Sequence, residues 1–394
     1  MTHIARSLAA LVLPILVLAG CAGPEPLCPA CAECAVCPAP LRAPEAKLQQ
    51  VPFGAIPGWA EAALAPGLRA FAAGCSRLAA ASPLRRACEG ARALPPDDES
   101  AARAFVEASF EAWSIAAADG AAEGTITGYY EPVLAGSRTR SARFSVPVYG
   151  APADLITVDL DSVHPELKGL RLRGRLDGNR LVPYRTRAEL EDGDAARGSV
   201  LAWVEDPVEL FFMQIQGSGQ IALDTGERIR LGYADQNGHP YRSIGRYLVE
   251  QREMTLDQAS MQGIKAWAAA NPGKLRAALD SNPSYVFFRE LGAAGEPGPV
   301  GTLGVPLSAG YSLAVDTRSI PLGAPLYLAT TYPLSRRPLE RLVAAQDTGG
   351  AIRGAVRADD FWGSGAEAGA LAGRMRQRGR LWILWPRGQG APRP

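Results

Sequence analysis

The stretch AAQDTGGAIRGAVRADDFWGSG, residues 344–365, is the part of this sequence around which the fold and the site are organised. Its three acids, Asp347, Asp359 and Asp360, lie among small, apolar and glycine residues. Glycines let the backbone approach a ligand closely or adopt positive φ. A carboxyl group near an indole such as Trp362 is partly desolvated, which raises its pKa. The stretch predicts a general acid beside a flat apolar surface, although a glycine-rich turn with solvated aspartates also fits it.

Length and composition limit the number of domains, the partners and the kinds of site that the whole chain can have. A length of 394 residues predicts two domains at about 150 residues each. Lys plus Arg is 41 and Asp plus Glu is 40, without a basic run interleaved with aromatics, which argues against nucleic acid as a partner. Histidine occurs three times, and His164 and His239 both precede proline, a turn setting. We therefore expect no metal or other cofactor and no Ser-His-Asp site.

The N-terminus has the pattern of a bacterial lipoprotein leader. Arg6 supplies the positive start, Leu8–Leu18 is an apolar run too short to span a bilayer, and small residues precede Cys21. Residues 1–20 are predicted to be a signal peptide, with Cys21 lipidated as the mature N-terminus. Alanine at position 22 favours the outer membrane. The predicted location is an outer-membrane lipoprotein facing the periplasm, held by a stable acyl anchor.

Cysteines mark two further features. Residues 21–50 are rich in Pro, Ala and Cys, which is typical of a flexible spacer. Metal ligation and disulfides both remain open for its four closely spaced thiols: Cys28, Cys31, Cys34 and Cys37. Cys75 and Cys88 are a candidate disulfide pair, and that bridge would contribute about 3 kcal/mol in the chain-entropy model.

Hydrophobic spacing predicts a mainly β chain with helical additions. The segment from Asp97 has acids in its first turn and Phe105, Phe110 and Trp113 at helical spacing, which predicts one helix. Strand-length segments follow from Thr125, and they include VLAWVEDPVELFFMQIQGSGQIAL. The pair QIAL and RIRL predicts a hairpin around residues 224–227. Residues 243–279 then have a helical pattern, and extended segments resume up to RLWILWP near the C-terminus.

Three aspartates recur at or near the ends of apolar segments, Asp316 in AVDTRSIPLG, Asp347 in AAQDTGG and Asp359 in RADDFWG. Together with TGYYEP, FFMQIQGSGQI, GYADQNGHPYRSIG and NPSYVFF, in that order, they resemble the membrane-bound lytic murein transglycosylase A family. The C-terminal module of that family is named for three aspartates. The resemblance covers roughly residues 51–386.

The resemblance implies a double-psi β-barrel domain interrupted by a second β-barrel domain. Here the first domain takes residues 51–135 and 286–388, the inserted domain takes residues 136–285, and a groove between them holds a glycan strand. This arrangement would bring TGYYEP and the aspartates to one cleft.

The resemblance also implies an activity. Family members are peptidoglycan lytic exotransglycosylases that cleave the β-1,4 bond between N-acetylmuramic acid and N-acetylglucosamine and form 1,6-anhydro products in cell wall turnover. One aspartate is acid and then base, and the frame before Phe-Trp-Gly matches it to Asp359. The spacing between Asp347 and Asp359 is one residue longer than in the family, which leaves Asp360 as the alternative. Asp316 and Asp347 match the supporting acids, and cell-wall enzyme complexes are further candidate partners beside the glycan strands.

Sugar contacts are expected from the matching motifs, either by ring stacking or by hydrogen bonds. The candidates are Thr127, Tyr129, Tyr130, Gln214, Gln216, Ser218 and Trp362. For the glutamines, the alternative is a strand with a solvated face.

Three other readings fit parts of the sequence. Asp347 and Asp224 each begin a DTG triplet, as in aspartic proteases, but neither triplet is followed by Ser or Thr. A hydrolase would pair Glu131 or Asp347 with Asp359 and release a reducing end. A wall-binding lipoprotein without activity would use the same barrel. The intact Asp-x-Phe-Trp-Gly motif argues against this interpretation.

Overall fold

The computed structural model describes residues 46–164, 167, 170, 172–192, 198–291 and 298–393. The predicted signal peptide, Cys21 and the four-cysteine tract lie outside the described residues. Within the described part of the chain, no helix is long and apolar enough to cross a membrane.

The described residues form seventeen strands and nine α-helices, and the prediction of a mainly β protein with helical additions is confirmed. The strands are β1 (Lys47–Val51), β2 (Phe110–Ala116), β3 (Gly124–Glu131), β4 (Val133–Ser137), β5 (Val146–Tyr149), β6 (Ile156–Thr157), β7 (Arg173–Asp177), β8 (Arg180–Pro183), β9 (Val200–Val204), β10 (Ser218–Leu223), β11 (Arg228–Gln236), β12 (Val286–Leu291), β13 (Ser312–Val315), β14 (Pro325–Thr331), β15 (Pro338–Asp347), β16 (Ala358–Ser364) and β17 (Arg376–Pro386). The helices are α1 (Ala65–Ala73), α2 (Leu84–Arg92), α3 (Glu99–Ser109), α4 (Arg187–Asp192), α5 (Pro207–Gln216), α6 (Ile244–Glu250), α7 (Met261–Ala270), α8 (Pro272–Asp280) and α9 (Gly365–Ala372).

The larger sheet closes into a barrel. Its strand order is β1-β2-β17-β14-β15-β13-β16-β3, and β17 also pairs with β3, so the strands from β17 to β3 form a ring. Two pairings, β13 with β15 and β16 with β3, are parallel. The run RLWILWP in β17 is apolar on both faces because one face lines the barrel and the other packs outward, and residues 381–386 are all buried.

A second sheet has the order β12-β11-β10-β4-β9-β5, and a small sheet contains β6, β7 and β8. The predicted hairpin is confirmed: β10 and β11 pair in antiparallel register, and Gly226 takes φ +88° at the turn. Strand β4 enters this second sheet directly after β3, and β12 is its last strand. The extent of the inserted domain, residues 136–285, stays a prediction, and the strands β4 and β12 of this sheet reach a few residues beyond both bounds.

The predicted single helix from Asp97 is wrong in its second half. Asp98 caps α3 by accepting a hydrogen bond from the Ala101 N–H, but the helix ends at Ser109 and the chain continues as β2. Phe110 and the residues after it pair with β1 and β17, which buries the phenylalanine completely. A tertiary pairing therefore overrides a periodicity that fits a helix.

The prediction of a strand through FFMQIQ is also wrong, since this segment is α5. Asp206 accepts hydrogen bonds from the N–H groups of Val208 and Glu209, and Pro207 occupies the first helical position. Gly217 ends the helix in the left-handed conformation, with φ +79°. These start and stop residues are standard helix signals that the sequence displays.

Cys75 and Cys88 form a disulfide with a Cα–Cα distance of 5.5 Å. It joins the turn after α1 to α2. Helix α1 packs directly on β15, where the carbonyl of Leu342 leaves no room for a side chain at Gly67. The bridge thus holds the helices against the outer face of the barrel strand that ends in Asp347.

Candidate active site

Asp359 lies on β16 opposite Thr127 of β3 in the parallel register. The Thr127 hydroxyl donates a hydrogen bond to Asp359 Oδ1 over 2.6 Å. The side chain of Asp359 remains partly accessible, whereas its neighbour Asp360 is fully buried. The parallel pairing thus brings TGYYEP and the aspartate motif together, although 232 positions separate the two residues.

A β-bulge brings Asp347 to the same face of the sheet as Asp359. On β13, Ala314 pairs with Asp359 on one side and with Asp347 on the other, and the register with β15 shifts just before this point. The extra residue, Gln346, is buried and donates a hydrogen bond to the Ala70 carbonyl of α1. A bulge re-aims a side chain in this way because it breaks the strict alternation of a strand. The two acids thus flank the small side chain of Ala314.

Both oxygens of Asp347 accept hydrogen bonds. Tyr129 donates its hydroxyl to Oδ2 over 3.0 Å, and Thr302 donates its N–H and its hydroxyl to Oδ1, each over 2.9 Å. Burial, followed by the charge of Asp347 and its hydrogen bond, raises the pKa of Tyr129 well above its usual range, so this phenol stays neutral. Its ring lies 5.2 Å from that of Phe361. Asp347 therefore holds Tyr129 and the Thr302 loop in place.

Burial raises the pKa of Asp359 to about 6. The hydrogen bond from Thr127 and the charge of Arg357 oppose this rise, and the charge of Asp347 adds to it. A carboxyl with this pKa holds a proton in about a tenth of the molecules at pH 7, far more than an ordinary aspartate does, and can also release it. The position and the pKa suit a group that donates a proton and then takes one back.

Asp360 faces the opposite way, into the barrel, where it forms an ion pair with Arg341. Burial raises its pKa to about 7 even though the guanidinium lowers it. The pKa values of the two acids are thus similar, and the geometry separates them. A side chain with 0 % exposure cannot reach a polymeric substrate.

Trp362 lies on the Asp360 side of the strand. Its ring centre is 5.7 Å from the Arg341 guanidinium, and its Nε1 donates to Met375 Sδ over 3.1 Å. A Cβ on Gly128 would come within 2.7 Å of this ring, so the glycine of TGYYEP makes room for it. The expectation that Trp362 desolvates Asp359 is therefore wrong, and Phe361 is the aromatic residue on the Asp359 face.

Asp316 secures the loop between β15 and β16. Its carboxylate accepts hydrogen bonds from the Arg318 backbone and guanidinium and, over 2.7 Å, from the Gly354 N–H. Burial raises the pKa of Asp316, but these hydrogen bonds and the Arg318 charge outweigh it and hold the value at about 2. This acid stays ionised and acts on the loop that leads to Asp359.

Glu131 is completely buried at the junction of the two sheets. Its Oε2 accepts hydrogen bonds from Gln220 of β10 over 2.7 Å and from Ser364 over 2.6 Å. Its Oε1 lies 3.1 Å from Arg230 Nε of β11. A carboxylate held in this way by both sheets has no access to a water molecule in a cleft.

Two of the predicted sugar contacts line a cavity of about 220 Å³ between β3, α9 and the helices of the inserted region. They are Tyr130 and Gln216, which share the cavity with Phe212, Tyr241 and Met261. Gln216 Oε1 accepts a hydrogen bond from the Tyr130 N–H over 3.1 Å. Aromatic rings beside an amide are the kind of lining that binds sugars.

The other two predicted contacts of this region lie elsewhere. Gln214 is buried, and its Oε1 accepts a hydrogen bond from Arg187 over 2.6 Å. Ser218 begins β10 and pairs with Gly232. Helical geometry explains the separation, because residues two apart on a helix point in different directions. The structure therefore brings Gln216 to the cavity and leaves Gln214 in the protein interior.

Two residues of the site were missed from the sequence, Arg357 and Thr302. Arg357 donates from Nη2 to the Thr127 hydroxyl over 2.8 Å. It lies two positions before Asp359, a spacing that keeps both side chains on one side of an extended chain. This spacing is a sequence signal from which Arg357 could have been predicted. Thr302 lies in a loop far from every motif, and nothing local marks it.

A closed β-barrel with aspartates at its strand ends, joined to a second sheet, defines a class of two-domain β proteins. The profile of the MltA specific insert domain matches residues 125–289, and that of the 3D domain matches residues 311–385. Membrane-bound lytic murein transglycosylase A of Escherichia coli K12 is 34% identical over 70% of this chain and 69% of its own length. Its counterpart in Vibrio cholerae is 32% identical over 66% of this chain and 64% of its own length.

Solved structures agree with these matches. MltA from Neisseria gonorrhoeae superposes with a TM-score of 0.78 at 42% identity, covering 90% of this chain and 99% of that one. Escherichia coli MltA with bound chitohexaose superposes with a TM-score of 0.63 at 28% identity, covering 88% and 95%. The chain belongs to the membrane-bound lytic murein transglycosylase A family, and the resemblance noted from its motifs is confirmed.

Proposed function

We propose that this protein is a peptidoglycan lytic transglycosylase that cleaves the β-1,4 bond between N-acetylmuramic acid and N-acetylglucosamine and forms 1,6-anhydro-muramyl products. The observation that carries the proposal is the partly accessible carboxyl group of Asp359, whose pKa, raised to about 6, suits proton donation. Family membership supports the substrate, since relatives are named murein transglycosylases and one related structure holds chitohexaose.

In the proposed reaction, Asp359 acts twice. As an acid it gives its proton to the oxygen between the two sugars while the bond from that oxygen to muramyl C1 breaks. As a carboxylate it then takes the proton of the muramyl C6 hydroxyl, whose oxygen bonds to C1 and closes the anhydro ring. The proton is regained, so the enzyme returns to its starting state, and such proton transfer contributes typically ~10²–10⁴-fold.

A hydrolase needs a second carboxylate to activate water or to attack the sugar. Asp347 is the nearest candidate on the same face, but both of its oxygens already accept hydrogen bonds. Glu131 is enclosed between the sheets. The surroundings of these acids favour an internal nucleophile, the C6 hydroxyl, over water. An aspartic protease dyad finds no support, because Asp224 lies in the β10–β11 turn, away from the Asp347 network.

We further propose that the glycan strand lies in a groove between the two domains, with Tyr129, Tyr130 and Gln216 among its contacts. The cavity beside Tyr130 is also lined by Gly128, so it lies on the face of β3 opposite to Thr127 and Asp359, and it would take a sugar or its substituent away from the bond that breaks. Cleavage from strand ends, and recruitment by cell-wall enzyme complexes, follow from the family resemblance alone and are part of this proposal.

Digestion of purified murein tests the reaction. We expect muropeptides one water lighter than hydrolytic ones, without new reducing ends, because the C6 hydroxyl replaces water as the nucleophile. Mass analysis before and after borohydride reduction distinguishes the two outcomes. Products with a free reducing muramic acid would make the protein a hydrolase, and binding without turnover would make it a wall-binding protein.

Membrane attachment through a lipid on Cys21 is part of the proposal, supported by the leader pattern and by the membrane-bound relatives. A Cys21→Ser precursor is expected to lose both fatty-acid incorporation and sedimentation with outer membranes, because the acyl chains supply the anchor. Labelling with radioactive palmitate and membrane fractionation measure the two effects. Attachment that persists without lipid at residue 21 would contradict the anchor.

A further inference from the structure

The Thr127 hydroxyl stands between a guanidinium and the proposed catalytic carboxyl. Arg357 Nη2 lies 2.8 Å from Thr127 Oγ1, which in turn lies 2.6 Å from Asp359 Oδ1. A guanidinium only donates hydrogen bonds, so the threonine oxygen must accept from Arg357. The one hydroxyl proton is then directed to Asp359. The order of donation in this chain is therefore fixed.

The fixed order has a consequence for the acid. A hydroxyl oxygen can accept two hydrogen bonds, but its own proton also needs an acceptor, and among the described residues that acceptor is Asp359 Oδ1. Oδ1 therefore accepts the Thr127 proton whether the carboxyl is ionised or neutral. A proton on Oδ1 would point at the proton of the hydroxyl, because the two oxygens are only 2.6 Å apart. In the neutral carboxyl, the transferable proton must therefore be on Oδ2.

We propose that Arg357, acting through the Thr127 hydroxyl, is a positioning residue that holds Asp359 Oδ1 as a permanent acceptor and leaves Oδ2 as the oxygen that exchanges the proton with substrate. This proposal rests on the proposed function, in which Asp359 is both acid and base. It assigns Thr127 to the carboxyl rather than to the sugar.

An intervening hydroxyl suits this role better than a direct ion pair would. The structure describes no ion pair between Arg357 and Asp359 within 4.0 Å, and the pKa of Asp359 is raised to about 6. Where Arg318 contacts Asp316 directly, with other donors, the pKa is held at about 2, too low for an acid near neutrality. The relay thus orients the carboxyl while leaving its proton available.

Several charged or titratable groups surround Asp359 and set its proton affinity. Arg357 precedes it on the same chain segment and lowers its pKa, and Asp347 of β15 raises it. Tyr129 of β3 is a neutral donor to Asp347. Asp360 points to the opposite side, where Arg341 accompanies it. Of the groups that donate toward Asp359, Thr127 and Arg357 are the ones whose removal would raise its pKa.

The experiment compares pH profiles of kcat/KM for murein digestion in wild type, Thr127→Val, Thr127→Ser, Arg357→Gln and Arg357→Lys. The acid must be protonated, so kcat/KM falls as pH rises through the pKa of Asp359. Thr127→Val and Arg357→Gln are expected to move this limb upward by about one pH unit and to lower the maximum about 10- to 100-fold, the effect of one hydrogen bond to a charged group. Thr127→Ser keeps the hydroxyl and should keep the wild-type limb, and Arg357→Lys should shift it less than Arg357→Gln.

A double-variant cycle tests whether Arg357 acts through Thr127. In the Thr127→Val background, Arg357→Gln should lower kcat/KM much less than it does in wild type, because the bond it supports is already gone. Thermal unfolding confirms that each variant is folded. A limb that stays in place in Thr127→Val, an equal shift in Thr127→Ser, or fully additive losses would overturn the relay. A dead Asp359→Asn variant alongside those results would leave the proposed function standing, whereas an active one would sink both.

Discussion

Asp359→Asn is expected to lower murein turnover by ~10²–10⁴-fold while glycan binding persists. The amide keeps the size and polarity of the side chain, and its oxygen can still accept the Thr127 hydrogen bond, but it cannot exchange the proton. The measurement pairs single-turnover digestion with a murein sedimentation assay. Loss of binding in parallel with turnover would contradict a purely chemical role.

Asp360→Asn is the matched comparison, because it makes the same change one residue along the strand. This acid faces the barrel interior beside Arg341, so activity per folded molecule is expected to remain near wild type. The buried guanidinium loses its counter-charge in this variant, and the folded fraction must therefore be measured by thermal unfolding. An inactive Asp360→Asn together with an active Asp359→Asn would show that the motif frame is displaced by one residue.

Glu131→Ala is expected to lower the free energy of unfolding by about 3–5 kcal/mol, the cost of removing one member of a buried ion pair. Glu131 connects the barrel to the second sheet by accepting from Gln220 and Ser364 beside Arg230. Without it, the Arg230 charge loses its buried partner carboxylate and two donors lose their acceptor. Denaturant unfolding followed by tryptophan fluorescence measures the change.

Glu123→Ala provides the control for that measurement. Glu123 also pairs with an arginine, Arg378, but both side chains are more than half exposed, so the expected change is below about 1 kcal/mol. Among the Glu131→Ala molecules that remain folded, murein turnover should be retained, because this carboxylate takes no part in the proposed reaction. A folded but inactive Glu131→Ala would revive the two-carboxylate hydrolase.

Local sequence signals selected the residue proposed as the acid and its side of the strand. The frame Asp-x-Phe-Trp-Gly selected Asp359, and the two-residue period of a strand separated it from Asp360, in agreement with the partial exposure of the first side chain and the full burial of the second. The hairpin at residues 224–227 and the helices of residues 243–279 could also be predicted from local patterns. In each case the pattern depends on neighbours within a few residues.

The wrong predictions have two causes. Some depend on contacts between residues that are distant in sequence, and one concerns a segment whose composition fits a strand and a helix equally well. The aromatic spacing through Phe110 fits a helix, and only pairing with β1 and β17 makes it a strand. The composition of the FFMQIQ segment fits a strand or a buried helix. The Asp206-Pro207 pair before it and Gly217 after it are the start and stop signals of a helix. Trp362 adjoins the acids in sequence but packs against Gly128 on the other side of the barrel wall.

By itself, the sequence determined a mainly β chain, its family and the residue proposed as the acid, because each depends on order and spacing along the chain. The tertiary structure alone decided how the acid is held. The bulge beside Ala314 turns Asp347 toward Asp359, and the β3–β16 pairing sets Thr127 between Arg357 and the carboxyl. These contacts join residues that are distant in sequence and that strand register and packing bring together across the barrel. Neither the register nor the packing can be predicted from a short segment of the sequence.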